Sequence, residues 1–292
     1  MRIPYYPGCT LKTKAKNFED SAVASLDSLG VQLAEMPVWN CCGTVYCLAV
    51  DETAHQLAPV RNLLRLKEQG ESQVVSLCTM CYNSLKRANL LMKTDVEKRG
   101  KIVNFVSEGE GSYGGEVEVL HLLEVLRDEI GFERVRREVT KPLKGLKVAP
   151  YYGCLLLRPA EVAIDDPLRP TILEDLLVSL GAEAVDFPHK TECCGSFQTV
   201  NNVELVVECA RRILDAAAEA GAEVMITSCP LCAFNLDHRQ REIRKVYSDF
   251  RGMPVLYFTQ LMAIALELGE GVCRFDLNHA DPRPLLASKG VM

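Results

Sequence analysis

Apolar residues alternate along this chain between two rhythms. Short continuous runs are each followed by a longer stretch in which apolar positions recur every three or four residues, the spacing of one helical face. The runs predict buried strands over 3–6, 31–35, 74–77 and 117–120 in the first half, and over 147–152, 184–187, 224–227 and 255–258 in the second. The periodic stretches predict helices over 18–29, 53–69, 82–92 and 122–130, then over 170–180, 203–220, 234–247 and 260–268. Gly30, Gly70, Gly181 and Gly221 stand where helices should stop, because glycine enters the left-handed conformation of a helix end at little cost. Strands alternating with helices of this length argue for parallel sheets built from right-handed crossovers. The fold class expected is α/β, with two similar domains, each a small parallel sheet flanked by helices. Their expected spans are 1–140 and 146–292, joined near Pro142 and Gly145. The stretch 109–115 reads as a flexible surface loop, and the tail after Cys273 as irregular chain that docks onto a neighbour.

Composition narrows the partners. The chain has 292 residues, 48% apolar, with a formal net charge of -6 and no long basic run, which disfavours nucleic acid and anionic membrane surfaces. No apolar stretch approaches the roughly 18–20 residues that span a bilayer, so no transmembrane segment is expected. Met1-Arg2-Ile3-Pro4-Tyr5 carries no apolar signal region, which gives the expectation of a cytoplasmic protein. A reducing compartment makes clustered cysteines candidates for metal binding rather than for disulfides.

Ten of the 13 cysteines repeat. Cys9, Cys41, Cys42, Cys78 and Cys81 recur as Cys154, Cys193, Cys194, Cys229 and Cys232, at offsets of 145, 152, 152, 151 and 151. Flanking residues repeat with them. Tyr5-Tyr6-Pro7-Gly8-Cys9 echoes Tyr151-Tyr152-Gly153-Cys154, and Cys41-Cys42-Gly43 echoes Cys193-Cys194-Gly195. Each cysteine falls just after a predicted strand, where open α/β sheets gather their ligand sites. Five converging thiolates exceed the four ligands of tetrahedral zinc or of an ordinary four-iron cubane. The compact ferredoxin run of four cysteines is absent. An adjacent Cys-Cys pair suits a larger or more open cluster, although zinc in the second motif is an alternative.

The spacing Cys-x31-Cys-Cys-Gly-x34-Cys-x2-Cys, then Cys-x38-Cys-Cys-Gly-x33-Cys-x2-Cys, resembles the duplicated cysteine-rich CCG domain. Over nearly the whole chain the sequence is similar to the B subunit of heterodisulfide reductase. That resemblance implies two non-cubane [4Fe-4S] clusters, one held by each set of five cysteines. It also implies reduction of a disulfide of the CoB-S-S-CoM type, or an analogue, lying between the domains. No glycine-rich nucleotide loop is present, so electrons would come from a ferredoxin-like iron–sulfur subunit and a flavin-containing subunit of a larger complex. The rival expectation is a non-catalytic electron-transfer subunit linking a flavoprotein to a quinone or another oxidoreductase. Open access to both clusters would favour disulfide chemistry; a second cluster capped by the chain would favour relay.

His189, four residues before Cys193, is a candidate proton donor, whereas His55, His121, His238 and His279 are given no role. Lys14 and Lys190 are candidates for attracting an anionic substrate, and Trp39 for shielding the first cluster from water. Cys47, Cys209 and Cys273 have no counterparts in the other half; the first two read as packing residues and Cys273 as structural or a free thiol.

Overall fold

The computed structural model describes residues 1–44, 53–106 and 112–292. It contains two four-stranded sheets, each drawn from one half of the chain. The first has the order β2-β1-β3-β4, from β1 (Arg2–Tyr5), β2 (Gln32–Glu35), β3 (Gln73–Ser76) and β4 (Glu118–His121). The second has the order β6-β5-β7-β8, from β5 (Lys147–Pro150), β6 (Glu183–Ala184), β7 (Val224–Thr227) and β8 (Val255–Tyr257). Every pair is parallel; β1 runs beside β2 from Arg2↔Gln32 to Tyr5↔Glu35, and β5 beside β7 from Val148↔Val224 to Pro150↔Ile226. Parallel strands need long crossovers, and helices supply them. Central β7 is buried at every residue, as a strand covered on both faces must be.

The strand and helix order follows the hydrophobic rhythm, with instructive departures. The strand expected over 184–187 shrinks to Glu183–Ala184. The Val185 N–H still reaches Val148 O (2.8 Å), but Pro188, four residues beyond Ala184, lacks the N–H that a longer ladder needs. The helix expected over 234–247 starts earlier and breaks into three pieces: an α-helical turn Pro230–Ala233, a π-helical turn Phe234–His238 and a helix Gln240–Val246. Its counterpart, Thr79–Thr94, is α-helical throughout. Helices Val96–Val106 and Phe132–Glu138 occupy segments with no expected element. Residues 109–111 of the expected loop lie outside the described residues; beyond them Tyr113 is buried and donates to Asn89 Oδ1, which pins that end.

The sheets share one core. Helix Phe258–Ala265 packs on helix Lys16–Ser28, with the Phe18 and Tyr257 rings stacked at 4.2 Å and the Ser21 and Thr259 hydroxyls 2.7 Å apart. Such a ring pair adds about 1 kcal/mol beyond the area it buries. The tail docks onto its own chain. Asn278 accepts from Asn17 and Gln260 and donates to Val255 O, while Leu286 and Val291 are buried. Among the described residues no helix is long and apolar enough to cross a membrane.

Candidate metal centres

The ten repeated cysteines gather into two nests at the carboxyl ends of the strands. In the first, Cys9 lies on the one-turn helix Gly8–Leu11 directly after β1. Gly8 has φ +72°, and a β-carbon there would stand 2.7 Å from Cys81 Sγ. Only glycine lets the backbone approach the sulfur this closely without strain. Cys41 and Cys42 follow β2, in a loop fixed by Asn40. The Asn40 N–H donates to Asn62 Oδ1 (2.9 Å), its side-chain oxygen accepts from Arg65 (2.8 Å), and its carbonyl accepts from Tyr6 OH (2.8 Å). Cys78 is the N-cap of helix Thr79–Thr94, and Cys81 lies in its first turn. Cys9 and Cys41 sulfurs are 3.9 Å apart; those of Cys42 and Cys81, 3.6 Å.

The second nest repeats this plan. Gly153, at φ +65°, precedes Cys154, and a β-carbon on it would lie 3.5 Å from Cys232 Sγ. Tyr151 OH donates to Glu192 O (2.6 Å) just before the Cys193-Cys194 pair. Asn235 Nδ2 donates to Cys194 O (3.2 Å), and the Cys194 and Cys232 sulfurs are 3.5 Å apart. Cys229 is the N-cap of the turn Pro230–Ala233. The nests touch. Thr79 N–H donates to Ser228 O (3.2 Å), the two hydroxyls are 2.8 Å apart, and Cys78 and Cys229 lie within hydrogen-bonding reach. Both cysteines thus sit back to back at helix N-termini; bonding from Cys232 lowers Cys229, but bonding to Cys78 and burial outweigh it and push Cys229 up to about 12.

Access to the nests differs. A cavity of about 400 Å³ is lined by all five cysteines of the first set and, from the other half, by Leu231, Phe234, His238 and Tyr257. No cysteine of the second set lines it. In the second half, the chain after Cys154 forms a cap over a helix of the first half. Residues 155–164 lie across helix Thr79–Thr94, held by Asn83 Nδ2 donating to the Leu155 and Arg158 carbonyls (both 2.7 Å) and Tyr82 OH to Val162 O (2.9 Å). Arg127 holds Ile164 O at 2.8 Å. The chain has the length for this cap because 38 residues separate Cys154 from Cys193, against 31 between Cys9 and Cys41.

A model of the CCG cysteine-rich domain matches this chain twice, at residues 3–86 and 148–237. The chain belongs to the CCG cysteine-rich domain family. An 8-methylmenaquinol:fumarate reductase membrane anchor subunit of Wolinella succinogenes is 34% identical, over 94% of this chain and 95% of the relative. The B subunit of a ferredoxin:CoB-CoM heterodisulfide reductase of Methanosarcina mazei is 28% identical, over 91% and 89%. A protein of Archaeoglobus profundus named as like the heterodisulfide reductase B subunit is 29% identical, over 91% and 92%. A crystal structure of a hypothetical protein from Helicobacter pylori superposes with a TM-score of 0.75 at 13% identity; it shares the fold, and this chain matches 52% of its length.

The donor chemistry of both CCG motifs fits an iron–sulfur group. Within each, the thiols share protons. Hydrogen bonding from Cys41 and Cys81 holds Cys42 well below the usual thiol range, and bonding from Cys229 and Cys81 does the same for Cys78. Cys154 and Cys194 lower Cys193 to about 2. Cys81, Cys154 and Cys232 move the other way, raised by hydrogen bonds to neighbouring thiols and then by burial. A cation would displace these protons and offset the charge gathered in each nest. Among the described residues, no three Cys, His, Asp or Glu side chains converge on a point suited to one ion. The first set of thiols lines a wider space instead, which suits a group of several irons better than tetrahedral zinc.

The remaining sequence candidates scatter. Lys14 lines the cavity. Lys190 does not, being paired with Glu174 and Asp186, each at 2.8 Å. His189 also lies off the cavity, its Nδ1 2.7 Å from Glu192. Trp39 stands edge-on to Tyr6, with centroids 5.9 Å apart. Cys273 is buried, Cys209 is half-buried on helix Val203–Glu219, and Cys47 lies outside the described residues. Sequence reasoning missed the Asn40–Asn62–Arg65 brace and the Asp237-His238 pair on the cavity wall. The brace joins a loop to a distant helix, which spacing along the chain does not reveal. His238 follows Cys232 by six residues, and nothing in that interval marked it.

Proposed function

We propose that this chain is the iron–sulfur subunit of a heterodisulfide reductase-like oxidoreductase complex in the cytoplasm, reducing a small disulfide bound in the cavity beside the first CCG motif. The carrying observation is that cavity: about 400 Å³, shared by the group that five cysteines of one half would hold and a substrate, and walled by the other half. Cys9, Cys41, Cys42, Cys78 and Cys81 would hold one [4Fe-4S] cluster of non-cubane form, and Cys154, Cys193, Cys194, Cys229 and Cys232 the other, one per unit of 1–140 and 146–292. Bound there, the clusters would supply one-electron chemistry and iron that accepts sulfur ligands. The chain's own residues shape the reaction space. Met80, Leu231, Phe234 and Tyr257 give the cavity apolar walls that exclude water, and Lys14 offers a positive charge to an anionic disulfide. Electrons would come from ferredoxin-like and flavin-containing partner subunits. The reaction balances as RSSR′ + 2e⁻ + 2H⁺ → RSH + R′SH.

A second reading has its own observation. Residues 155–164, directly after Cys154, are held against helix Thr79–Thr94, and the Wolinella succinogenes relative is named for a menaquinol-linked enzyme. That pair favours a relay subunit joining a flavoprotein to a quinone. Turnover with reduced methyl viologen separates the readings. Release of thiol from an added disulfide supports the first, and consumption of a quinone analogue without disulfide reduction supports the second. Electron paramagnetic resonance (EPR) adds a binding test: a small thiol should perturb one signal of two, and an unperturbed spectrum would contradict substrate binding in the cavity.

A further inference from the structure

Cleaving a disulfide consumes two protons, and the cavity wall holds a group placed to deliver one. The π-helical turn Phe234–His238 breaks the correspondence between the two halves, since the matching helix Thr79–Thr94 is α-helical throughout. Such turns recur at functional sites because the extra residue re-aims side chains. This one puts Phe234, Asp237 and His238 on the wall that faces the first set of thiols.

His238 is held on two sides. Its ring stacks on Phe234 at 5.5 Å and 23°, and on His279 at 5.9 Å and 30°. His279 belongs to the tail, which is clamped where Asp237 accepts the backbone N–H groups of His279 (2.6 Å) and Ala280 (3.0 Å). Asp237 is thereby spent on backbone, whereas the His238 ring nitrogens make no hydrogen bond within the chain among the described residues. The result is a half-buried, oriented imidazole with its polar atoms free beside the proposed substrate space. The charged groups around it are His279 on the tail, Arg241 and Glu242 on helix Gln240–Val246, Asp237 on its own turn and Lys14 across the cavity. Burial, then His279 and Arg241, favour release of its proton.

We propose that His238 is the proton donor to a sulfur freed in the cavity, with Asp237 and His279 positioning it. The inference rests on the reading of the cavity as the disulfide site. As the S–S bond breaks, each sulfur gains one electron from the reduced partner subunits. One sulfur takes the proton from His238, which is then reprotonated from solvent; the other takes its proton from water.

The test compares the iron-loaded chain with His238→Gln, His238→Gly and His279→Asn, using reduced methyl viologen as donor. General acids contribute roughly 10²–10⁴-fold, so His238→Gln should lose about 100-fold in kcat while a small thiol still perturbs the EPR spectrum. Its rate should also lose the decline that the unaltered chain shows as pH rises through the histidine range. Free imidazole should restore part of the His238→Gly rate, and His279→Asn should lose less than His238→Gln. An unchanged rate and pH profile in His238→Gln would overturn the assignment, as would loss of iron or of the thiol-induced EPR change in that variant. Failure of the thiol to perturb the spectrum of the unaltered chain would instead remove the site reading itself.

Discussion

Gly8 shows how a single backbone position serves the site. A methyl group there would meet Cys81 Sγ at 2.7 Å, in a φ of +72° that side chains resist. Gly70 has a similar φ of +78° with nothing within 4 Å, so it isolates the backbone term. Gly70→Ala should cost about 1 kcal/mol, and Gly8→Ala more, together with iron from the first nest. Urea unfolding and iron analysis check this, and equal effects would contradict it. His121 carries a pH prediction. It is wholly buried, with Nε2 2.9 Å from Leu77 O and Nδ1 accepting the Leu123 N–H, an arrangement only the neutral ring can make. Burial lowers its pKa to about 3. The unfolded chain takes up a proton below about 6.5 and the folded chain does not. Stability is therefore fully present above 6.5 and is lost as pH falls towards 3, by up to about 1.4 kcal/mol per pH unit. His121→Gln should flatten that dependence in urea unfolding between pH 7.5 and pH 5; an unchanged slope would contradict the prediction. At this scale the cysteines were legible, because chemistry fixes their type and duplication displays their spacing. His238 was not, because its role depends on a tail folded back from more than forty residues away.

Elements were legible where hydrophobic pattern alone decides them. The runs at β3 and β7 are almost wholly buried and could be read directly. The π turn was invisible, since the apolar spacing of 234–247 suits an unbroken helix equally well. The cap at 155–164 was equally hidden; the longer Cys154–Cys193 interval gave room for it without saying where it goes. Asn83 ties this cap down with two hydrogen bonds. Asn83→Ala would strand two carbonyls, costing on the order of 2 kcal/mol. Hydrogen exchange should then rise within 155–164 and stay low in β7; uniform protection would show that the cap is held by other means.

The whole molecule is a duplication that has stopped being symmetric. One core joins both sheets, and the cysteines at their strand ends meet through Thr79 and Ser228. The first nest opens to a cavity that no cysteine of the second set lines, and the chain after Cys154 is laid against the first half's helix. Parallel architecture and pseudo-repeat were readable from sequence; the unequal access was not, because it arises from contacts between halves. Cys41→Ala should empty the first nest and spare the second, halving the iron, and full retention would count against the ligand assignment. The most direct measurement is anaerobic analysis of iron and acid-labile sulfide per chain, with EPR. Two four-iron clusters predict about eight irons with matching sulfide. Zinc without sulfide, or about four irons or fewer, would contradict the pair of cluster sites.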